Sequence, residues 1–171
     1  MKKNKSPLTL KLFFLLLILL KLGCNSQKSA KYPPEIRIIP SPKEIIKDRD
    51  NDALELKNTI SIFIKGEDSK KFFDLFTNDF KIIFSQNLNF KKSDDMNSDI
   101  SFNIDNSLSN EEYKIEIDKN VIITGGSYNA ISMAKSSLLQ IIKLKGNKTI
   151  ILPKSKIFDK PDSSYRGLMI D

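Results

Sequence analysis

The sequence has no tryptophan, no histidine and one cysteine. Without His it lacks the side chain most often used as a general base near neutral pH, and a favoured metal ligand. Hydrolytic or metal chemistry would therefore fall to carboxylates alone. With Cys24 as the only thiol, no intrachain disulfide can form. Acidic residues are missing from the first 23 positions, which carry Lys2, Lys3, Lys5, Lys11 and Lys21. Those lysines account for most of the net charge of +7 and leave only +2 for the remainder. There, runs such as "KDRDND" and "KKSDD" mix both signs and read as solvated surface. A basic stripe with interleaved aromatics is absent, so no nucleic-acid partner is expected.

What is present begins with an export signal. "MKKNKSPLTLKLFFLLLILLKLGCNSQKSA" has a Lys-rich start, an apolar stretch from Leu12 to Leu20, and small residues after it. The stretch is much shorter than the roughly 20 residues that span a bilayer. Gly23 directly precedes Cys24, and a polar "NSQKS" tether follows. The arrangement resembles a bacterial lipoprotein signal, with residues 1–23 removed, Cys24 acylated and residues 24–31 as the tether. It departs from such signals at Lys21, where Leu is usual three residues before the cysteine. The expected location is an exported lipoprotein, membrane-anchored through acyl chains, on the periplasmic or cell-surface side.

The remainder alternates between two periods. "YPPEIRIIPSPKEI" contains Pro33, Pro34, Pro40 and Pro42, so a strand there must be short or at an edge. In "ALELKNTISIFI", Leu54 and Leu56 alternate, then Ile60, Ile62 and Ile64 share a face. "EDSKKFFDLFTNDFKIIFSQN" switches to helical spacing, with Phe72, Phe73, Phe76, Phe80, Ile83 and Phe84 in one stripe and Asp68 or Ser69 as N-cap. Such a stripe could line a ligand site, but a helix face against a sheet is its expected role. "KKSDDMNS" reads as a loop, and "DISFNID" as a strand with Ile100, Phe102 and Ile104 inward. "EEYKIEIDKNVIITGG" predicts a hairpin turning at "DKN". A second helix follows in "SYNAISMAKSSLLQIIKLK", with Ala130, Met133, Ala134, Leu138, Ile141 and Ile142 inward and Gly146 as its C-cap. "GGSYNA" lacks the spacing of a phosphate-binding loop and reads as a tight strand-to-helix turn. "KTIILP" is a short strand, and "KSKIFDKPDSS" a polar connector. These elements predict an α+β fold: six strand segments in an antiparallel or mixed sheet, covered on one face by two helices.

Three segments together, "IIPSPKEI", "EEYKIEID…NVIITGGSYNAISMAKSSLLQII" and "IFDKPDSSYRGLMID", resemble glycoside hydrolase family 20, the β-N-acetylhexosaminidases. The resemblance runs from about Tyr32 to Asp171, and the closing "YRGLMID" is its most specific part. It implies an N-terminal α+β domain over residues 32–160, with residues 161–171 the truncated first strand of a (β/α)8 catalytic barrel. It further implies that the full-length enzymes act on glycans bearing terminal N-acetylhexosamine, without a cofactor. Their mechanism is substrate-assisted and retaining, run by an adjacent Asp-Glu pair on a later barrel strand. That strand is not in this sequence, so no catalytic residue is assigned. Arg166 alone matches a family position: its guanidinium fork suits two neighbouring sugar hydroxyls. Strand alternation puts it on one side with Leu168 and Ile170.

The acidic pairs Glu111-Glu112 and Asp94-Asp95 sit in polar stretches without an apolar pocket to raise one pKa, so neither is expected to be catalytic. No metal site is expected. Read as a family member, the chain is the front of a β-N-acetylhexosaminidase, inactive by itself. The alternative is a stand-alone, lipid-anchored module that binds glycan or protein, although the spaced exposed aromatics of a sugar platform are not evident.

Overall fold

The computed structural model of the chain describes residues 35–48, 52–86, 88–146 and 148–162. The signal, Cys24 and the tether lie outside them, as does the segment from Ser163 to Asp171 that contains Arg166. No helix among the described residues is long and apolar enough to cross a membrane.

Alternation of apolar residues produces most of the strands. In chain order they are β1 (Glu44–Lys47), β2 (Ala53–Lys57), β3 (Thr59–Ile64), β4 (Asn89–Ser93), β5 (Ile100–Ile104), β6 (Tyr113–Ile117), β7 (Val121–Gly125), β8 (Lys143–Lys145), β9 (Thr149–Pro153) and β10 (Ser155–Asp159). The two helices are α1 (Ser69–Phe84) and α2 (Tyr128–Ile141). Among the described residues the strands form two sheets, one of seven strands in the order β1-β10-β6-β7-β5-β3-β4, the other β2-β9-β8. The larger sheet is mixed. Its β4-β3-β5-β7 half is parallel and its β7-β6-β10-β1 half antiparallel. The fold is therefore α+β with a mixed sheet, as the sequence predicts, but divided between two sheets rather than gathered in one.

The division occurs within "ALELKNTISIFI". Asn58 adopts φ 63, a left-handed conformation that Asn tolerates better than most residues. Ala53–Lys57 thus joins the small sheet, with Leu54 opposite Leu152 and Leu56 opposite Ile150. Thr59–Ile64 joins the large one. Prolines keep β1 to four residues at an edge of the large sheet, as expected from their missing donors.

One face of the large sheet is apolar across six strands. Ile64 lies opposite Phe102, Phe102 opposite Ile123, Ile123 opposite Ile115, Ile115 opposite Ile157, and Ile157 opposite Ile45. Both helices cover this face. Phe72 and Phe76 of α1 meet Phe102 edge-on at ring distances of 4.9 and 5.8 Å. Phe76 and Phe80 meet Phe90 of β4 at 5.6 and 5.0 Å. The phenylalanine stripe is core, and burial of Phe76 and Phe80 contributes about 1.5–3 kcal/mol each. Ile83 departs from the stripe. It is 57% exposed, and Phe84 instead packs on Phe80 in the last turn. On α2, Ala130, Ala134, Leu138 and Ile141 are fully buried, and Met133 packs partly buried against the core.

Three other expectations need correction. "NFKKS" forms the parallel edge strand β4 beside β3, anchored by Phe90, where only a loop had been expected from its lysines. Gly146 is not a helix C-cap. Backbone at Ile142 is already extended, and Lys143–Lys145 pairs with Thr149–Ile151 as β8, so Gly146 (φ +61) lies in the connection between β8 and β9. The supposed connector "KSKIFDKPDSS" begins with β10, which lies inside the large sheet between β1 and β6. Its alternation is real but brief: Ser155 and Ile157 are buried while Lys156 is exposed.

Candidate functional site

Arg166 and Cys24, the two positions singled out in the sequence, both fall outside the described residues.

The acidic pair Glu111-Glu112 is split by its hydrogen bonds. Glu112 Oε2 accepts from the Ser109 hydroxyl at 3.0 Å, whereas Glu111 Oε1 accepts from Asn129 Nδ2 at 3.2 Å. Asp95 Oδ1 accepts from the Asn97 N–H at 2.9 Å in a local turn. Among the described residues, the carboxylic acids whose pKa is displaced by their partners, Glu55 and Asp105, are both lowered. Hydrogen bonds from Lys57 and then Lys145 lower Glu55, and the Ser107 hydroxyl and N–H lower Asp105. A general acid at neutral pH needs the opposite shift, from an apolar pocket or a like charge. No group of three or more potential metal-ligating side chains is gathered among the described residues.

The "GGSYNA" turn is closed by the protein itself. Gly126 N–H donates to Glu112 O at 3.0 Å, and Ala130 N–H donates to the Ser127 hydroxyl, the N-cap of α2, at 3.2 Å. The second glycine is required by close approach, since a Cβ at Gly126 would lie 1.9 Å from Ser109 O. Two of the donors that a phosphate would need are thus committed to the fold.

An open cleft of about 420 Å³ lies at the end of β1, β10 and β6, lined in part by Ile46, Asp48, Glu116, Asp118, Lys154 and Lys156. Both lysines named here are ion-paired. Lys154 pairs with Asp52 at 3.2 Å and Asp118 at 3.3 Å, and Lys156 with Glu116 at 3.5 Å. Hydrogen bonds to Asp52 and Asp118 raise the Lys154 pKa, so its ammonium stays charged and cannot act as a base.

A polar network that the sequence did not reveal centres on Asp159. Tyr113, 2% exposed, donates its hydroxyl to Asp159 Oδ2 at 3.2 Å and lies 2.8 Å from the Ser137 hydroxyl of α2. Burial, foremost, pushes the Tyr113 pKa up to about 12, so the phenol remains a donor. The only signal for Asp159 lay in "IFDKP", where neighbouring polar residues masked a strand.

Comparison with known proteins places the fold. The family model "Glycosyl hydrolase family 20, domain 2" matches residues 35–160. Among solved structures, the chain resembles a β-N-acetylhexosaminidase from Bacteroides fragilis at 22% identity and TM-score 0.60, covering 73% of this chain and 25% of that one. It resembles a GH20 exo-β-N-acetylglucosaminidase from Vibrio harveyi at 20% identity and TM-score 0.66, covering 80% and 20%. For the Streptomyces plicatus N-acetyl-β-hexosaminidase the values are 12% identity and TM-score 0.61, covering 79% and 29%. This chain therefore spans less than a third of the length of each of these proteins. The match over residues 35–160, an α+β unit with the same fold as these structures, shows that the chain belongs to glycosyl hydrolase family 20 and carries that family's domain 2.

Proposed function

We propose that this chain is the N-terminal, accessory part of a β-N-acetylhexosaminidase and that it does not itself hydrolyse glycosides. The observation that carries the reading is the family match over residues 35–160, in a chain that corresponds to 20–29% of the three related enzymes. The geometry agrees with an accessory role. Among the described carboxylates, Glu55 and Asp105 have displaced pKa values, and both move away from what an acid catalyst needs. Retaining hydrolysis by neighbouring-group attack needs one carboxyl to orient the acetamido group and a second, protonated one to release the leaving oxygen. By family resemblance that pair belongs to a later barrel strand.

In this reading residues 161–171 open the catalytic barrel, and Arg166 holds hydroxyls of a terminal N-acetylhexosamine once the barrel is complete. The Lys-rich start and Cys24 after Gly23 support export and attachment to a membrane by acyl chains. The test is hydrolysis of an aryl N-acetyl-β-glucosaminide by the purified chain. No release of the aryl alcohol above the buffer rate is expected. Turnover that is abolished by Arg166→Ala would overturn the reading, and glycan binding by the isolated chain would favour a stand-alone module instead.

A further inference from the structure

Two parts of the chain that lie far apart in sequence are fastened together at one corner of the fold. The arm of residues 35–43 buries Ile36 and Ile38 in the core. At Ile39 its N–H donates to Gln140 Oε1 at 2.8 Å, and its carbonyl accepts from Gln140 Nε2 at 3.2 Å. At Lys43 its N–H donates to Asp159 Oδ1 at 3.2 Å, and its ammonium pairs with Asp162. The other oxygen of Asp159 accepts from the Tyr113 hydroxyl. Since that hydroxyl has one proton, the bond to Ser137 must be donated by the serine, giving a directed chain from Ser137 through Tyr113 to Asp159. A carboxylate suits the end of this chain because both its oxygens accept. An amide there would offer one acceptor and one donor.

We infer that Asp159 is a positioning residue that latches the incoming arm to the outgoing strand β10 and to helix α2. It thereby holds the end of β10 against the arm.

Hydrogen exchange followed by mass spectrometry on the 171-residue chain tests the latch without any substrate, so its outcome is separate from that of the hydrolysis assay. In Asp159→Asn, amides of residues 36–43 and 160–162 should exchange about tenfold faster, while α1 and the β6–β7 hairpin stay within about twofold of wild type. Tyr113→Phe keeps the ring packing and should give the same pattern more weakly. Gln140→Ala should speed exchange near Ile39 and leave residues 160–162 unaffected. Unchanged exchange of the arm in Asp159→Asn, or acceleration spread evenly over the molecule, would overturn the proposal. If Asp159→Asn fails to fold, unchanged arm exchange in Tyr113→Phe would do so.

Discussion

Lys135 is 5% exposed, yet it is a lysine on the inner side of α2, and its ammonium pairs with Asp79 on α1. The two ends of this pair are unequal: the Lys135 side chain is 6% exposed and that of Asp79 29%. Removing the acid should therefore cost much more than removing the base. Breaking a fully buried pair from one side costs about 3–5 kcal/mol, because the remaining charge lacks both water and partner. Water already reaches Asp79, so Asp79→Ala is expected to cost about 2–3 kcal/mol. Lys135→Met keeps an unbranched stem of similar length in the core and leaves a carboxylate that can hydrate. Its cost should stay below about 1 kcal/mol. The double variant should recover most of the loss caused by Asp79→Ala, since no isolated ammonium is left between the helices. Urea denaturation followed by circular dichroism on all four proteins closes the double-mutant cycle. If Asp79→Ala costs under about 0.5 kcal/mol, or if the two losses simply add, Lys135 is not a buried charge that depends on Asp79.

Four further outcomes are expected. Gly126→Ala would drive a methyl group into the backbone oxygens of Ser109 and Leu108, at 1.9 and 2.8 Å, and should cost about 3 kcal/mol or more. Gly146→Ala places its methyl in open space at φ +61 and should cost about 1 kcal/mol, so melting curves should separate the two glycines clearly. Burial raises Tyr113 from 10.0 to about 12, so its neutral form binds the proton more tightly in the folded state than in the unfolded one. Its contribution is complete below pH 10 and is lost as pH rises to about 12, a fall of about 2–3 kcal/mol. The difference in stability between wild type and Tyr113→Phe should narrow over that window, and a constant difference would contradict the assignment. Finally, Cys24→Ala should abolish incorporation of labelled palmitate and move the protein from the detergent phase to the aqueous phase after phase partitioning.

How far the sequence reached is clearest where it was right. Apolar residues at every second position in "TISIFI", "YKIEI" and "VIIT" defined strands with one buried face, and the period-four phenylalanines defined α1. Those are local regularities, and the sheet geometry needs nothing beyond them. The hairpin between β6 and β7 was legible for the same reason, with Ile117 opposite Val121 across the "DKN" turn. Family resemblance to hexosaminidases was readable from whole segments and is upheld by the match over residues 35–160.

Only the tertiary structure could decide β4, β10, the end of α2 and the Asp159 latch. Each depends on a partner distant in the chain. Phe90 suffices to hold β4 because α1 places Phe76 and Phe80 against it. "KSKIFD" becomes an inner strand because β6 and β1 supply hydrogen bonds on its two sides, the latter from 114 residues earlier in the pairing of Glu44 with Phe158. Local pattern determined which residues face inward, since the pleat and the helical turn repeat without reference to neighbours. Tertiary contact determined which weakly patterned segments were drawn into the sheets, since an edge strand's backbone groups are satisfied only when another strand arrives.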